Sequence, residues 1–383
     1  MRERELVGAL CKADRREWGV TKESNMRIGI RHPFFIANDQ TTNFNGYDFE
    51  FVRLFKPVIY ITGWRRQLTR GLKFRKAMRA SGLEAEQYEF AFTESELNRK
   101  ADAVVCFNGF PYLPHNEPPA KFNGLKIWHV MDYVWRAAES NRILENGGVN
   151  YVMGYADHGK YCPFFQKFYP GYVGKTISVP FGYGKRFENK TAFAERCRKA
   201  LAVGSVRPVN DPSAPEPDTL RDYIEFYKGV EWTHQWRRTL ALEAENLRDV
   251  MDSQLPLFPE TENPKYNAVE VLNQYAMFAN DEGLMAFPPA RTYEGTAAGA
   301  VLVGAAHGSY ADLGFVDGVN CILHRKHDLD DFRAKVSHYI QNPDKLEALQ
   351  KASVQMARSE YSHEQVARNT YAAIEKLYRE NRG

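Results

Sequence analysis

The chain has 383 residues, 44 % of them hydrophobic and 26 % charged. That composition excludes a mainly disordered or fibrous protein, and the length predicts two domains with separate cores. The 51 basic and 48 acidic side chains leave a net charge of +3, too small by itself to define a nucleic-acid binder.

No apolar run approaches the roughly 18 residues of a membrane span, and the mixed charges of the first twenty residues do not resemble a secretory signal. The five cysteines, Cys11, Cys106, Cys162, Cys197 and Cys321, are scattered without a CxxC pair. That pattern suits ordinary thiols in a reducing compartment. A cytoplasmic protein is expected. Aromatic residues reach 13 %, which suits an aromatic-lined cleft.

In chain order, a charged lead-in over residues 1–24 precedes a strand at Met26–Arg31. Val58–Thr62 reads as a second strand, and the basic stretch Arg65–Arg79 as a helix stopped by Ser81-Gly82. Strands follow at Gln87–Phe92, Ala103–Phe107, Leu125–Met131 and Val149–Gly154. Apolar strands alternating with helices predict a parallel sheet covered on both faces. Ser178–Phe187 reads as strand and Gly-rich turn, followed by a basic helix near Phe193–Ala200.

A second unit opens with a strand at Leu201–Val206 and a loop of four prolines. Thr219 with Asp222 reads as a capping box, and Leu240, Ala244, Leu247 and Met251 recur at helical spacing, with Gly229 as a break. A helix at Val269–Tyr275 and a short strand at Met277–Ala279 come next. Pro288-Pro289 presets a helix that Gly299 can end, before strands at Ala300–Gly304 and Asn320–His324. Asp328, Asn342-Pro343 and Ser362 with Gln365 open the last three helices. The expected fold class is α/β, with two Rossmann-like domains in succession.

Open α/β sheets bind ligands at the carboxyl ends of their strands. Arg291 and Glu294 lie three apart on one face of the Pro-led helix, either as a surface ion pair or as part of a pyrophosphate cradle. Trp128-His129-Val130-Met131-Asp132 ends a strand. Asp132 or His129 can serve there as a general base, or His129 can be a packed core residue and Asp132 a helix cap. Asn108 ends another strand. Seven basic residues fall within 65–79, among them Arg66, Arg70 and Lys73 on one helical face. They mark either an anionic acceptor or membrane surface, or a solvated helix face. Asp328-Leu329-Asp330 reads as a helix start rather than a metal motif, and neither a metal nor a cofactor is expected.

Residues from about 266 to 378 resemble the C-terminal domain of GT-B glycosyltransferases, the group-1 transferases and their CgeB-like relatives. The resemblance is carried by Arg291-Thr292-Tyr293-Glu294, the small-residue run Gly295 to Gly299, and the apolar strand after it. It continues through Gly318-Val319-Asn320-Cys321-Ile322-Leu323, the Asn-Pro-Asp helix start and Tyr361-Ser362-His363. Val179 to Phe187, with Pro180, Gly182 and Phe187, resembles the hinge of these enzymes.

The resemblance implies two Rossmann-like domains facing each other across a cleft. These are an acceptor domain at 1–187, a nucleotide-sugar domain at 188–360, and a helix at 361–383 crossing back to the first. It implies a metal-independent transferase moving a sugar from a nucleotide-sugar, UDP- or GDP-linked, to a hydroxyl acceptor. Glu294 would hold the donor ribose, with Arg291 and the Gly295–Thr296 amides near the diphosphate. Arg207, Gly182, Tyr183, Glu282 and His307 complete the donor set. Glu282 stands upstream of the family's E-x7-E spacing, whose acid is replaced by Ala286. On the functional reading of the basic cluster, Arg66, Arg70, Lys73 and Asn108 would face the acceptor, a hydroxyl compound that the cluster would suit if it is anionic, such as a glycan, a lipid-linked phosphate or another polymer. The alternatives are a nucleic-acid-modifying transferase, a GT-B sugar-nucleotide epimerase, and an inactive binding relative.

Overall fold

The computed structural model describes residues 26–382, apart from 32, 34–45, 64–68, 70, 108–109, 114–115, 131, 211–216 and 258–265. The first half forms one parallel sheet. Its strands are β1 (Ile28–Arg31), β2 (Val58–Tyr60), β3 (Phe90–Ala91), β4 (Ala103–Cys106), β5 (Leu125–His129), β6 (Tyr151–Gly154) and β7 (Thr176–Ser178). Their order is β3-β2-β1-β4-β5-β6-β7. The strands are short apolar runs because both faces are covered.

Ile28, Ile30, Val105 and Ile127 meet Tyr47 and Phe51 of the helix Gly46–Phe55 on one face. Val104, Cys106, Trp128 and Val152 pack with Leu97, Leu144 and Phe165 on the other.

The second sheet comprises β8 (Cys197–Ala202), β9 (Met251–Ser253), β10 (Tyr275–Asn280), β11 (Val301–Ala305) and β12 (Ile322–His324), ordered β12-β11-β10-β8-β9. All of its pairings are parallel. Strand alternation sends Ala200, Met277, Val301 and Val303 to a core with Trp236, Phe332 and Leu349. Leu201, Phe278 and Leu302 go to the opposite face with Tyr293 and Tyr310.

Three expectations fail here. Phe193–Ala200 is not a basic helix: Phe193–Glu195 is a single 3₁₀ turn, and β8 begins at Cys197. Arg196 is buried instead, donating to the carbonyls of Leu272, Tyr275 and Ala298 and to Asn189. The helical spacing from Leu240 to Met251 holds only through the helix Gln235–Leu242, since Met251 opens β9. The helix Arg221–Phe226 also starts without a side-chain cap from Thr219.

The last helix, His363–Glu380, is capped by Ser362 Oγ, which accepts from Gln365 N at 3.1 Å. Its Val366, Ala367 and Ile374 belong to the core of the first sheet, and its Tyr371 ring stacks on Phe55 at 4.1 Å. Among the described residues no helix is long and apolar enough to cross a membrane.

Candidate functional site

In an open parallel sheet the loops after two neighbouring strands diverge where the strand order reverses, leaving a crevice at their carboxyl ends. In the second sheet that point lies between β8 and β10. The loop after β8 brings Val203, Gly204 and Ser205, and the loop after β10 brings Glu282, Met285 and Phe287, to one cleft of about 460 Å³. Its opposite wall carries Asp132, just beyond β5, and the hinge turn from Phe181 to Phe187. The two halves therefore share a single cleft.

The helix Ala290–Ala297 begins after Pro289 at this cleft. Arg291 Nη1 lies 3.0 Å from Glu294 Oε2, and Arg291 Nη2 donates to the Tyr266 hydroxyl at 3.3 Å. Burial pushes the Glu294 carboxyl above its ordinary range, opposed by the charges of Arg291 and Arg186. Gly295 and Thr296 do not serve as expected. They sit past the first turn, where backbone N–H groups bond within the helix. Both are buried, Gly295 against the Phe278 ring and Thr296 with its hydroxyl donating to the Thr292 carbonyl. Of the first-turn N–H groups, that of Thr292 already donates to Pro289 O at 2.9 Å.

Glu282 does reach the cleft despite its spacing. The loop bulges through two left-handed residues, Gly283 at φ 59° and Ala286 at φ 56°. A Cβ on Gly283 would stand 2.8 Å from His234 Nδ1. Glu282 Oε1 pairs with Lys326 at 2.8 Å, while Oε2 is buried without a hydrogen-bond partner among the described residues. The loop is held from across the cleft by the Tyr133 hydroxyl, which donates to Met285 O at 2.8 Å.

Arg207 and His307 fall outside the cleft lining. Arg207 is exposed, and its carbonyl accepts from Thr233 N at 3.1 Å. His307 caps the helix Gly308–Asp312 through Nδ1, which accepts from Ser309 N, and its ring lies 5.2 Å from that of Tyr161. Beside it the first half grips the second: Lys160 Nζ and the Tyr161 hydroxyl both reach Asp312 Oδ2, at 2.7 and 2.6 Å.

Sequence reasoning missed Arg237, Asp281 and Arg186. Arg237 is buried, with Nε 3.0 Å from Asp281 Oδ1 and Nη2 donating to Asn280 Oδ1 at 2.8 Å. Burial pushes the Asp281 carboxyl up, but His234 and Arg237 outweigh it and hold the group below its ordinary range.

Of the paired candidates at the end of β5, only Asp132 faces the cleft. Burial raises its carboxyl to about 6, and its backbone is left-handed at φ 40°. His129 is fully enclosed between Tyr47, Phe107 and Tyr155 and is pushed down to about 4 by burial. It is a neutral core histidine.

Gly182 and Tyr183 line the cleft in the hinge turn. Tyr183 N donates to Tyr361 O at 2.8 Å, and His363 N donates to Tyr183 O at 3.1 Å. Lys73 is exposed on the helix Leu72–Ala80 and does not line the cleft. Within that helix Arg75 lies over the Phe90 ring at 4.0 Å and Arg79 pairs with Glu86, so part of the basic stretch serves the fold. Arg66, Arg70 and Asn108 lie outside the described residues.

Residues 256–372 match the family described as glycosyl transferase-like. Among solved structures the chain is similar to Anabaena Alr3699/HepE in complex with UDP, at 9 % identity and a TM-score of 0.51, covering 92 % of this chain and 100 % of that one. The same protein in complex with UDP-glucose gives a TM-score of 0.50 with the same identity and coverage. No curated protein sequence matches. The fold is that of the GT-B glycosyltransferases, as the sequence resemblance implied, and the part of the chain that matches the glycosyl transferase-like family lies in its second half. The match falls on the half that carries Arg291 and Glu294.

Proposed function

We propose that the protein transfers a sugar from a nucleoside-diphosphate sugar to a hydroxyl of an anionic acceptor. The observation that carries this reading is the shared cleft at the β8/β10 crevice, with the Arg291–Glu294 pair on one wall and Asp132 on the other. The mostly buried Glu294 carboxylate accepts hydrogen bonds from the donor ribose. The first-turn N–H groups of the helix Ala290–Ala297 point positive charge at the diphosphate.

The reaction breaks the bond between the anomeric carbon and the diphosphate oxygen, which keeps the electron pair. The acceptor oxygen bonds to that carbon and gives up its proton. Asp132 is the carboxylate placed to take that proton, and a group with its elevated affinity is ionised at neutral pH yet still basic enough to act. The cleft needs no metal for this charge pattern, because arginine and oriented amides can carry the leaving-group charge. An anionic acceptor is supported by the acid-free basic stretch at 65–79 on the half that carries Asp132.

The test is nucleoside diphosphate release from a panel of nucleotide-sugars, with and without phosphorylated or acidic-glycan acceptors. Release stimulated by an acceptor supports transfer. Release indifferent to every acceptor favours hydrolysis or epimerisation, and no release from any donor defeats the reading.

A further inference from the structure

The carboxylates and arginines lining the cleft fall into ion pairs, with two exceptions. Arg291 is matched to Glu294, Arg237 and His234 to Asp281, and Glu282 to Lys326. Asp132 and Arg186 line the same cleft with no ion-pair partner among the described residues. Asp132 stands on the wall of the first sheet. Arg186 comes from the hinge turn that joins the two halves.

The backbone that carries Arg186 is held at both ends. Phe187, the next residue, is buried in the core, and its N–H donates to Gly184 O at 3.0 Å. Upstream, Tyr183 is bonded on both sides, to Tyr361 just before the returning helix and to His363 at its start. Gly182, at φ 66°, permits this contact, since a Cβ there would stand 2.8 Å from Tyr361 O. Arg186 is close enough to Glu294 and His363 for its charge to influence both titrations.

A diphosphate leaving group needs a cation that is not already neutralised. Arg237 and Arg291 each have a carboxylate within 3.0 Å, and Arg207 is outside the cleft lining. We infer that Arg186 binds the sugar-bearing phosphate of the donor, so that the hinge supplies the positive charge on the leaving group. This inference rests on the nucleotide-sugar reading above. As the bond from the anomeric carbon to the phosphate oxygen breaks, the electron pair stays on that oxygen and Arg186 offsets the added charge. Because the hinge is hydrogen-bonded to the start of the returning helix, a change in the angle between the halves would change the distance from this cation to the donor. Arg186 is thus a charge-positioning residue as well as a contact.

The measurement is the affinity of a nucleoside diphosphate against its monophosphate, by titration calorimetry, for the intact wild type, Arg186→Gln and Arg186→Lys. The wild type is expected to prefer the diphosphate. Arg186→Gln should weaken the diphosphate by about 10- to 100-fold and the monophosphate by less than about threefold, with partial rescue in Arg186→Lys. A Gln variant that keeps the wild-type preference overturns the inference and leaves the donor reading standing. A Gln variant that weakens both ligands equally also overturns it. If the wild type binds neither ligand, the donor reading itself fails. Arg186 is exposed, so an unchanged melting temperature in both variants is expected and checks their folding.

Discussion

Arg291 and Glu294 face each other at 3.0 Å on one side of a short helix whose first turn opens onto the interdomain cleft. The pair is mostly buried, with Arg291 held further by Tyr266. A ligand hydroxyl at Glu294 therefore meets a carboxylate of fixed position. Replacing Glu294 by Ala leaves the guanidinium without its acid and the ribose without its acceptor.

The expected outcome is a loss of nucleoside diphosphate affinity of about 10- to 100-fold, in keeping with one or two charge-assisted hydrogen bonds. The wild type should discriminate against a dideoxyribose analogue, and Glu294→Ala should not. Calorimetric titration of both nucleotides reads this directly.

With Asp132 as the proposed general base, its carboxyl sets the expected pH dependence. Its carboxyl is raised to about 6 by burial, so it is protonated below that pH and cannot accept the acceptor's proton. Transfer should rise with pH through a midpoint near 6. Asp132→Asn should lower turnover by about 10²- to 10⁴-fold and abolish the acidic limb. The pH–rate profile of wild type and variant is the check.

Asp48 makes a prediction about stability. Its side chain is buried in the helix Gly46–Phe55, accepts from Phe49 N through Oδ1, and is raised to about 7 by burial. A carboxyl whose folded pKa exceeds its unfolded one favours folding most when protonated. That contribution is lost as pH rises from about 4 through about 7. Asp48→Asn should therefore stabilise the protein at pH 8, by an amount on the order of 2–4 kcal/mol, and have little effect at pH 4. Urea denaturation at the two pH values measures the difference.

Two glycines separate backbone strain from steric conflict. Gly82 is left-handed at φ 80° with nothing near its missing Cβ, and Gly182 at φ 66° has Tyr361 O at 2.8 Å. Gly82→Ala should cost about 1 kcal/mol from backbone conformation alone. Gly182→Ala should cost at least about 2 kcal/mol, because the hinge must also leave the returning helix. Denaturant midpoints rank the two.

Most strands were legible because burial on two faces leaves apolar runs that punctuation by Gly and Asn makes visible, but β9 was not, since its Met251 continued a helical spacing. The helix from Asp328 and the closing helix from Ser362 were legible through their caps, each of which accepts a backbone N–H as expected. Where charge decided the outcome, the sequence misled. Arg196, Arg198 and Lys199 read as a basic helix, yet Arg196 is buried among carbonyl acceptors and the strand follows at once.

The same limit applied to the cleft. The pairing of Arg291 with Glu294 follows from spacing of three along a helix, so it could be read locally. Arg237 with Asp281, and Glu282 with Lys326, are brought together only by strand order. Spacing alone could not separate His129 from Asp132. The chain turns left-handed at Asp132 just after the strand, placing one side chain in the core and the other on the cleft.

The central claim is that this cleft binds a nucleoside-diphosphate sugar through Glu294. Thermal melting of wild type and Glu294→Ala against a panel of nucleoside diphosphates and their sugars tests it most directly. A ligand at about 100 times its dissociation constant stabilises the folded state by roughly 2.7 kcal/mol. The account predicts that one base class raises the wild-type melting temperature, and that Glu294→Ala loses most of that rise while keeping its own fold. A wild type that no nucleotide stabilises, or a variant that responds as fully as the wild type, would contradict it.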